Sequence, residues 1–236
     1  MIQVRLLLGV VFLFALGACS QESSETVELG SEVVEASDLS VEELGRETEE
    51  MFALYQTLEA SAEEVMGAEK FDKHFEPYAV ENKRVLALHG PVFRRELVKK
   101  LEQAVEVRIT EHSDREDFIL PDLSIPEKVP SYEYRSVTLD SSQRLALLEG
   151  VRSLSGVTDE GTACPFVAHH RIDLIGEDGD SSRIEVCFKC GEFYWDEVNL
   201  FAPQGLIEVI RDAVMKAGLK PVRDWQALAI ERAKED

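Results

Sequence analysis

Positive charge is what this 236-residue chain has least of: 25 Lys and Arg face 46 Asp and Glu, leaving a net charge of −21 at pH 7. Binding a phosphate backbone needs basic patches, and docking electrostatically to anionic head groups needs a polybasic stretch. Neither is present, which excludes nucleic acid as a partner. Sulfur and indole are scarce as well, with four Cys and two Trp. A Gly-rich phosphate loop, a G-x-S-x-G elbow and an H-E-x-x-H helix motif are missing altogether. No internal repeat marks a solenoid or an array. The motif-bearing hydrolase and nucleotide-binding chemistries therefore have no signature here.

The N-terminus is where the longest apolar stretch lies. In "MIQVRLLLGVVFLFALGACS", Arg5 supplies a short positive region and Leu6 to Ala18 is unbroken and apolar. The run is too short to span a bilayer and has the proportions of a secretory signal segment. Leu16-Gly17-Ala18-Cys19 resembles the lipobox of a bacterial lipoprotein signal peptide. That resemblance implies cleavage before Cys19, diacylglycerol on its sulfur and an acyl chain on its new amino terminus. Several acyl chains on one residue (palmitate among them) anchor stably where one does not. By the family's sorting rule, Ser20 in place of Asp favours the outer membrane, with the domain facing the periplasm. Removing residues 1–18 takes away one Arg and no carboxylate, so the mature chain carries 24 basic and 46 acidic residues, net −22.

The acid is concentrated at the front. From Ser20 to Gly67 there are fourteen Asp or Glu against one basic residue, Arg46. Residues 19–39 have no aromatic side chain and few large apolar ones, the composition of a disordered acidic tether. Residues 40–67 read differently. Ser40 and Glu43 form a capping-box pair, and Leu44, Thr48, Met51, Tyr55, Leu58, Ala62 and Val65 recur at spacings of four and three. A coiled-coil seam has the same spacing, but Thr and Ala make a weak zipper, so an amphipathic helix packed on its own domain is the preferred reading.

Residues 68–131 are expected to be helical or irregular, with a helix over Val92–Glu106 burying Val92, Leu97, Leu101 and Val105. Three prolines in Ile119–Pro130 make an extended connector. Residues 132–236 are more orderly. A strand over Tyr132–Leu139 precedes a helix capped by Asp140 or Ser141, with Leu145, Leu148 and Val151 as its inner face. "HRIDLI" and "SRIEVCF", joined by "GEDGDS", form a hairpin with Ile172, Leu174, Ile184, Val186 and Phe188 facing in. "EFYWDEV" adds a third strand, Tyr194 and Trp195 serving as packing residues. A helix then runs from Pro203 to Gly218, and a last one is capped by Asp224. The predicted class is α+β: a small antiparallel sheet with helices packed on one face, large enough for one good core.

With Cys19 lipidated, Cys164, Cys187 and Cys190 remain. An odd count is awkward in an oxidising envelope, where at most two can pair within the chain. A structural zinc site resolves it, with Cys164, Cys187, Cys190 and either His169 or His170 as four ligands. Adjacent strand residues point to opposite faces, so one of the two histidines suffices. Gly191 directly after Cys190 suits the positive φ of a metal-binding knuckle. A disulfide with one spare thiol fits the spacing equally, and a redox pair or plain buried cysteines are further readings. His89, before Gly-Pro, is expected to be a turn residue, and His74 and His112 stand alone. No nucleophile–base arrangement is visible, so no catalytic residue is assigned.

Cys164 followed by His169-His170 and then a hairpin ending "IEVCFKCGE" resembles a pattern found in uncharacterised bacterial secreted and lipid-anchored proteins. Their core is roughly C-F-x-P-R-H-x-I followed by I-C-F-x-C. The resemblance covers Tyr132 to Pro221; "PFVAHHRI" lacks the Pro-Arg pair and carries one extra residue. It implies a shared site fold and no particular reaction. The expectation is a lipid-anchored envelope protein with a binding or assembly role toward another envelope protein. The alternative is a metal- or thiol-dependent periplasmic enzyme using the same cluster.

Overall fold

The computed structural model describes residues 39–61, 68–120, 124–158 and 164–235. Cys19, the signal segment and all but the last residue of the tether lie outside them, as do Ala62 and Val65 of the helical stripe. The elements are α1 (Val41–Ser61), α2 (Ala68–Gln103), β1 (Glu106–His112), a 3₁₀ turn (Arg115–Phe118), β2 (Glu133–Thr138), α3 (Ser141–Arg152), β3 (His170–Ile175), β4 (Ser181–Cys187), β5 (Glu192–Trp195), α4 (Leu206–Lys216) and α5 (Trp225–Arg232). The five strands form one antiparallel sheet in the order β2-β1-β3-β4-β5. The chain is α+β.

Strand alternation sorts the side chains onto two faces. Val107 and Ile109 of β1 stand opposite Leu174 and Ile172 of β3, and Ile172 opposite Ile184 of β4. These join Phe93, Leu97 and Leu101 of α2, Leu147 and Val151 of α3, and Leu206, Ile210 and Val214 of α4 in one buried cluster. The other face is polar. Arg171 bridges Glu133 and Asp173, Asp173 also holds Arg183, and Arg108 holds Glu106.

The hairpin residues face inward as their alternation requires, all five being buried. Two inner-face assignments need correction. In α3, Leu145 is 53% exposed and Leu147 is buried in its place, while Val151 is buried as expected and Leu148 packs half-buried against the core. Val105 is 50% exposed because the helix ends at Gln103 and the chain turns into β1, a strand that the reading of residues 68–131 as helical or irregular does not contain. Of the aromatic pair, Trp195 is buried and Tyr194 points outward.

α1 packs on its own chain. Its capping box is present, with Glu43 N–H donating to Ser40 Oγ at 3.1 Å and Ser40 N–H to Glu43 Oε2 at 2.9 Å. Leu44 and Met51 bury against Val85, Leu88 and Val92 of α2.

α2 continues through Pro77 and Pro91. Just before Pro91 the ladder is repaired by a side chain from elsewhere. Gly90 N–H donates to Thr158 Oγ1 at 2.9 Å, and that hydroxyl donates to the Leu86 carbonyl at 2.6 Å. An inserted hydroxyl thus replaces one i→i−4 bond. Only glycine fits there, since a Cβ on residue 90 would lie 2.1 Å from the Gly156 carbonyl oxygen. His89, in the same helix, is no turn residue. It is buried, takes the Phe201 N–H on Nδ1 at 3.0 Å and meets Thr48 Oγ1 at 2.9 Å through Nε2. Burial pushes its pKa down to about 4, so the folded ring is neutral.

Candidate functional site

The sulfur-rich hairpin end and the C-terminal segment meet at one end of the sheet. β4 runs into a tight turn, Phe188 to Gly191, closed by Gly191 N–H donating to the Cys187 carbonyl at 2.8 Å. Gly191 has φ +75°, the left-handed conformation expected for it. The turn places Cys190 against the segment leading into β3, where it forms a disulfide with Cys164 across a sequence separation of 26. Cys187 is a free, buried thiol, and the Cys190 N–H donates to its sulfur at 3.3 Å.

Three sulfurs and both histidines therefore gather in one region, yet not as a tetrahedral set. Cys164 and Cys190 are bonded to each other, and a disulfide sulfur is not the thiolate a zinc ion takes. Among the described residues, no group of three or more His, Cys, Asp and Glu side chains could hold a metal ion. Of the readings that the spacing left open, the structure has the disulfide with one spare thiol.

The imidazoles have other partners. His170 opens β3 and is wholly buried, directly across the β1–β3 ladder from Glu111. These two side chains grip one peptide unit. Glu111 Oε1 accepts the Lys220 N–H at 2.7 Å, and His170 Nε2–H donates to the Lys220 carbonyl at 3.1 Å. Because a carbonyl can only accept, the proton sits on Nε2 and Nδ1 is the unprotonated nitrogen. Burial, above all, holds the His170 pKa down at about 3. The chain arrives at Lys220 by helix-end geometry: Gly218 has φ +76°, Leu219 N–H reaches the Val214 carbonyl and Gly218 N–H that of Met215, a Schellman end to α4.

Trp225, the first residue of α5, is the hub beyond it. His169 lies parallel to its ring at 4.6 Å, His170 meets it edge-on at 5.4 Å, Tyr134 lies at 6.0 Å, and the Arg223 guanidinium sits 5.9 Å from its centroid. His169 is oriented by Asp117, whose Oδ1 takes its Nε2–H at 2.9 Å, and Asp117 Oδ2 is held by the Asp114 N–H. Arg223 brings Nη2 within 3.1 Å of Glu111 Oε2. Four buried side-chain atoms lack a hydrogen-bond partner among the described residues: Glu111 Oε2, Tyr134 Oη, His170 Nδ1 and Arg223 Nε. All four belong to this cluster. Tyr134 is correspondingly pushed up to about 12, by burial first and by the Asp117 charge second.

On the opposite sheet face His112 bridges Glu185, at 3.0 Å from Nε2, and the Ser113 carbonyl, at 3.0 Å from Nδ1. Burial works against its charge, but these hydrogen bonds and the Glu185 carboxylate outweigh it and raise the pKa. The arrangement can hold an imidazole in a fixed orientation and clamp the Lys220–Trp225 segment onto β1 and β3.

Sequence reasoning missed Glu111, Asp117, Tyr134, Arg223 and Trp225 as members of this site. The alternation of Val107, Ile109 and Glu111 in "EVRITEH" was the available signal for β1. No family model matches the chain, and no curated protein or solved structure matches it either. The likeness to the cysteine pattern of secreted bacterial proteins therefore rests on the residues quoted for it.

Proposed function

We propose that this chain is an exported lipoprotein, held in a bilayer by acylated Cys19 and facing the periplasm from the outer membrane. Its α+β domain would serve a binding or assembly role toward another envelope protein. The helices gathered on the apolar sheet face would leave the charged face free for that partner. The observation that carries the reading is the Cys164–Cys190 disulfide. Disulfides persist in oxidising compartments and are rare in the cytosol, so the staple agrees with the lipobox-like Cys19 on the same destination by independent chemistry.

The test is fractionation of the full chain. The wild type should partition with membranes and take up labelled palmitate, and Cys19→Ser should lose both. A palmitate-negative, freely soluble wild type overturns the anchor. Thiol counting and metal analysis on the mature protein address the hairpin. One thiol and no zinc support the staple. Near-stoichiometric zinc with three thiols supports instead the clamp of Cys164, Cys187, Cys190 and His169 or His170. A second reading, a thiol-dependent periplasmic enzyme, is favoured by one observation: the unpaired Cys187 lies within the turn that carries the disulfide.

A further inference from the structure

Cys187 and the disulfide belong to one turn, and their relative placement has a chemical consequence. The Cys187 sulfur lies 3.3 Å from the Cys190 backbone nitrogen. Cys190's own sulfur is three covalent bonds from that same nitrogen, which keeps the two sulfurs in one small neighbourhood. Cys187 and Cys190 are also positions i and i+3 of a tight turn closed by the Gly191 N–H. That i→i+4 bond makes one helical turn, whose geometry puts Cα atoms three residues apart at about 5 Å, inside the usual span of a disulfide. Either neighbour of Cys190 is thus a sterically admissible partner for it.

We propose that the three cysteines form an internal thiol–disulfide exchange site in which Cys187 displaces Cys164 from Cys190. The Cys187 sulfur, losing its proton, attacks the Cys190 sulfur. The Cys164–Cys190 bond breaks as the Cys187–Cys190 bond forms, and Cys164 leaves as a thiolate that takes up the proton. One disulfide is consumed and one is made, so no outside oxidant or reductant enters. Exposure gives the exchange its direction of use: Cys187 and Cys190 are buried, whereas Cys164 is half-buried. The step converts a sheltered thiol into a reachable one on the strand lead-in, where it can form a mixed disulfide with a small-molecule disulfide such as oxidised glutathione. Gly191 contributes directly, since its positive φ lets the turn close behind Cys190 with no Cβ strain. This inference rests on the disulfide reading of the hairpin and is independent of how the chain is anchored.

The mature, folded protein is held in oxidised glutathione, quenched in acid, alkylated without reduction and mapped by peptide mass. The expected result is growth of a Cys187–Cys190 linked peptide together with Cys164 carrying alkyl label or glutathione. Cys187→Ser should abolish the modification at Cys164 under the same conditions. Because that variant places a hydroxyl in a buried site, Cys164→Ser provides the second arm: mild oxidation should leave it with a Cys187–Cys190 disulfide and no free thiol. A wild type in which Cys164–Cys190 stays the sole linkage overturns the exchange while leaving the staple intact. So does equal Cys164 modification in Cys187→Ser, or two persistent thiols in Cys164→Ser. Three thiols in freshly isolated wild-type protein overturn the staple and the exchange together.

Discussion

Removing the Cys164–Cys190 link is the perturbation whose size follows most directly from the fold. The two cysteines are separated by 26 residues. Chain-entropy loss for a loop of that length corresponds to about 3.5 kcal/mol at 25 °C, exerted chiefly on the unfolded chain. In a domain of this size each kcal/mol moves the melting midpoint by about 2–4 °C, so the expected fall is about 7–14 °C. The double variant Cys164→Ser, Cys190→Ser is the protein to measure, since it leaves no partner with which Cys187 can pair. Scanning calorimetry or far-ultraviolet dichroism, with and without dithiothreitol, reads the effect. Reductant should bring the wild type down to the variant and leave the variant where it is. The native lead-in has other ties, the His112 N–H to the His169 carbonyl and Asp117 to His169, so the fold should survive with local loosening near Cys164. A wild-type midpoint insensitive to reductant, or a double variant within about 1 kcal/mol of it, would refute the reasoning.

Other tests reach the rest of the molecule. Thr158→Val deprives the Gly90 N–H and the Leu86 carbonyl of their shared partner and should cost about 1–3 kcal/mol in urea unfolding, whereas Thr158→Ser should stay close to the wild type. Gly90→Ala, which must displace the Gly156 backbone, should cost about 3 kcal/mol or more by the same assay. Glu111→Ala removes the acceptor for the Lys220 N–H and the ion-pair partner of Arg223; we expect a loss of about 2–3 kcal/mol, with faster amide exchange confined first to residues 219–225. Acid should destabilise the fold through His170 and His89, whose folded pKa values of about 3 and about 4 lie below that of a free imidazole. As pH falls below about 6.5 the unfolded chain binds these protons first, and stability should drop by up to about 1.4 kcal/mol per unit per ring. His112, with its raised pKa, contributes in full below about 6.5 and loses its contribution as pH rises through its folded value. Equal stability at pH 5 and pH 8 by denaturant titration would contradict this assignment.

What the sequence disclosed follows from where its patterns are local. The capping box at Ser40, the helix cap at Asp140 or Ser141, the Gly218 helix end and the inward alternation of Ile172, Leu174, Ile184 and Val186 each depend on residues a few positions apart. β1 escaped because its neighbours pair at a distance, with β2 and β3, and because helix-forming residues run up to Gln103 immediately before it. His89 reads as a turn residue since Gly90-Pro91 ordinarily ends a helix. The hydroxyl that rescues the helix comes from Thr158, 68 residues away. The cysteines were legible as a cluster but not as a pairing, because spacing does not say which sulfur faces which. Glu111, Arg223 and Trp225 join a site only once α4 has ended in its left-handed turn, and nothing near them in the sequence announces it.

The two indoles stand in contrasting places. Trp195 is sealed in the main core with Nε1–H on Ser182 at 2.6 Å, and Trp225, buried outside that cluster, lies flat against the His169 imidazole. Loosening of the C-terminal segment changes the surroundings of Trp225 and leaves those of Trp195 as they are. The protein is therefore a two-lamp instrument: a change in emission with intact core fluorescence reports the C-terminal clamp alone, with no dye attached.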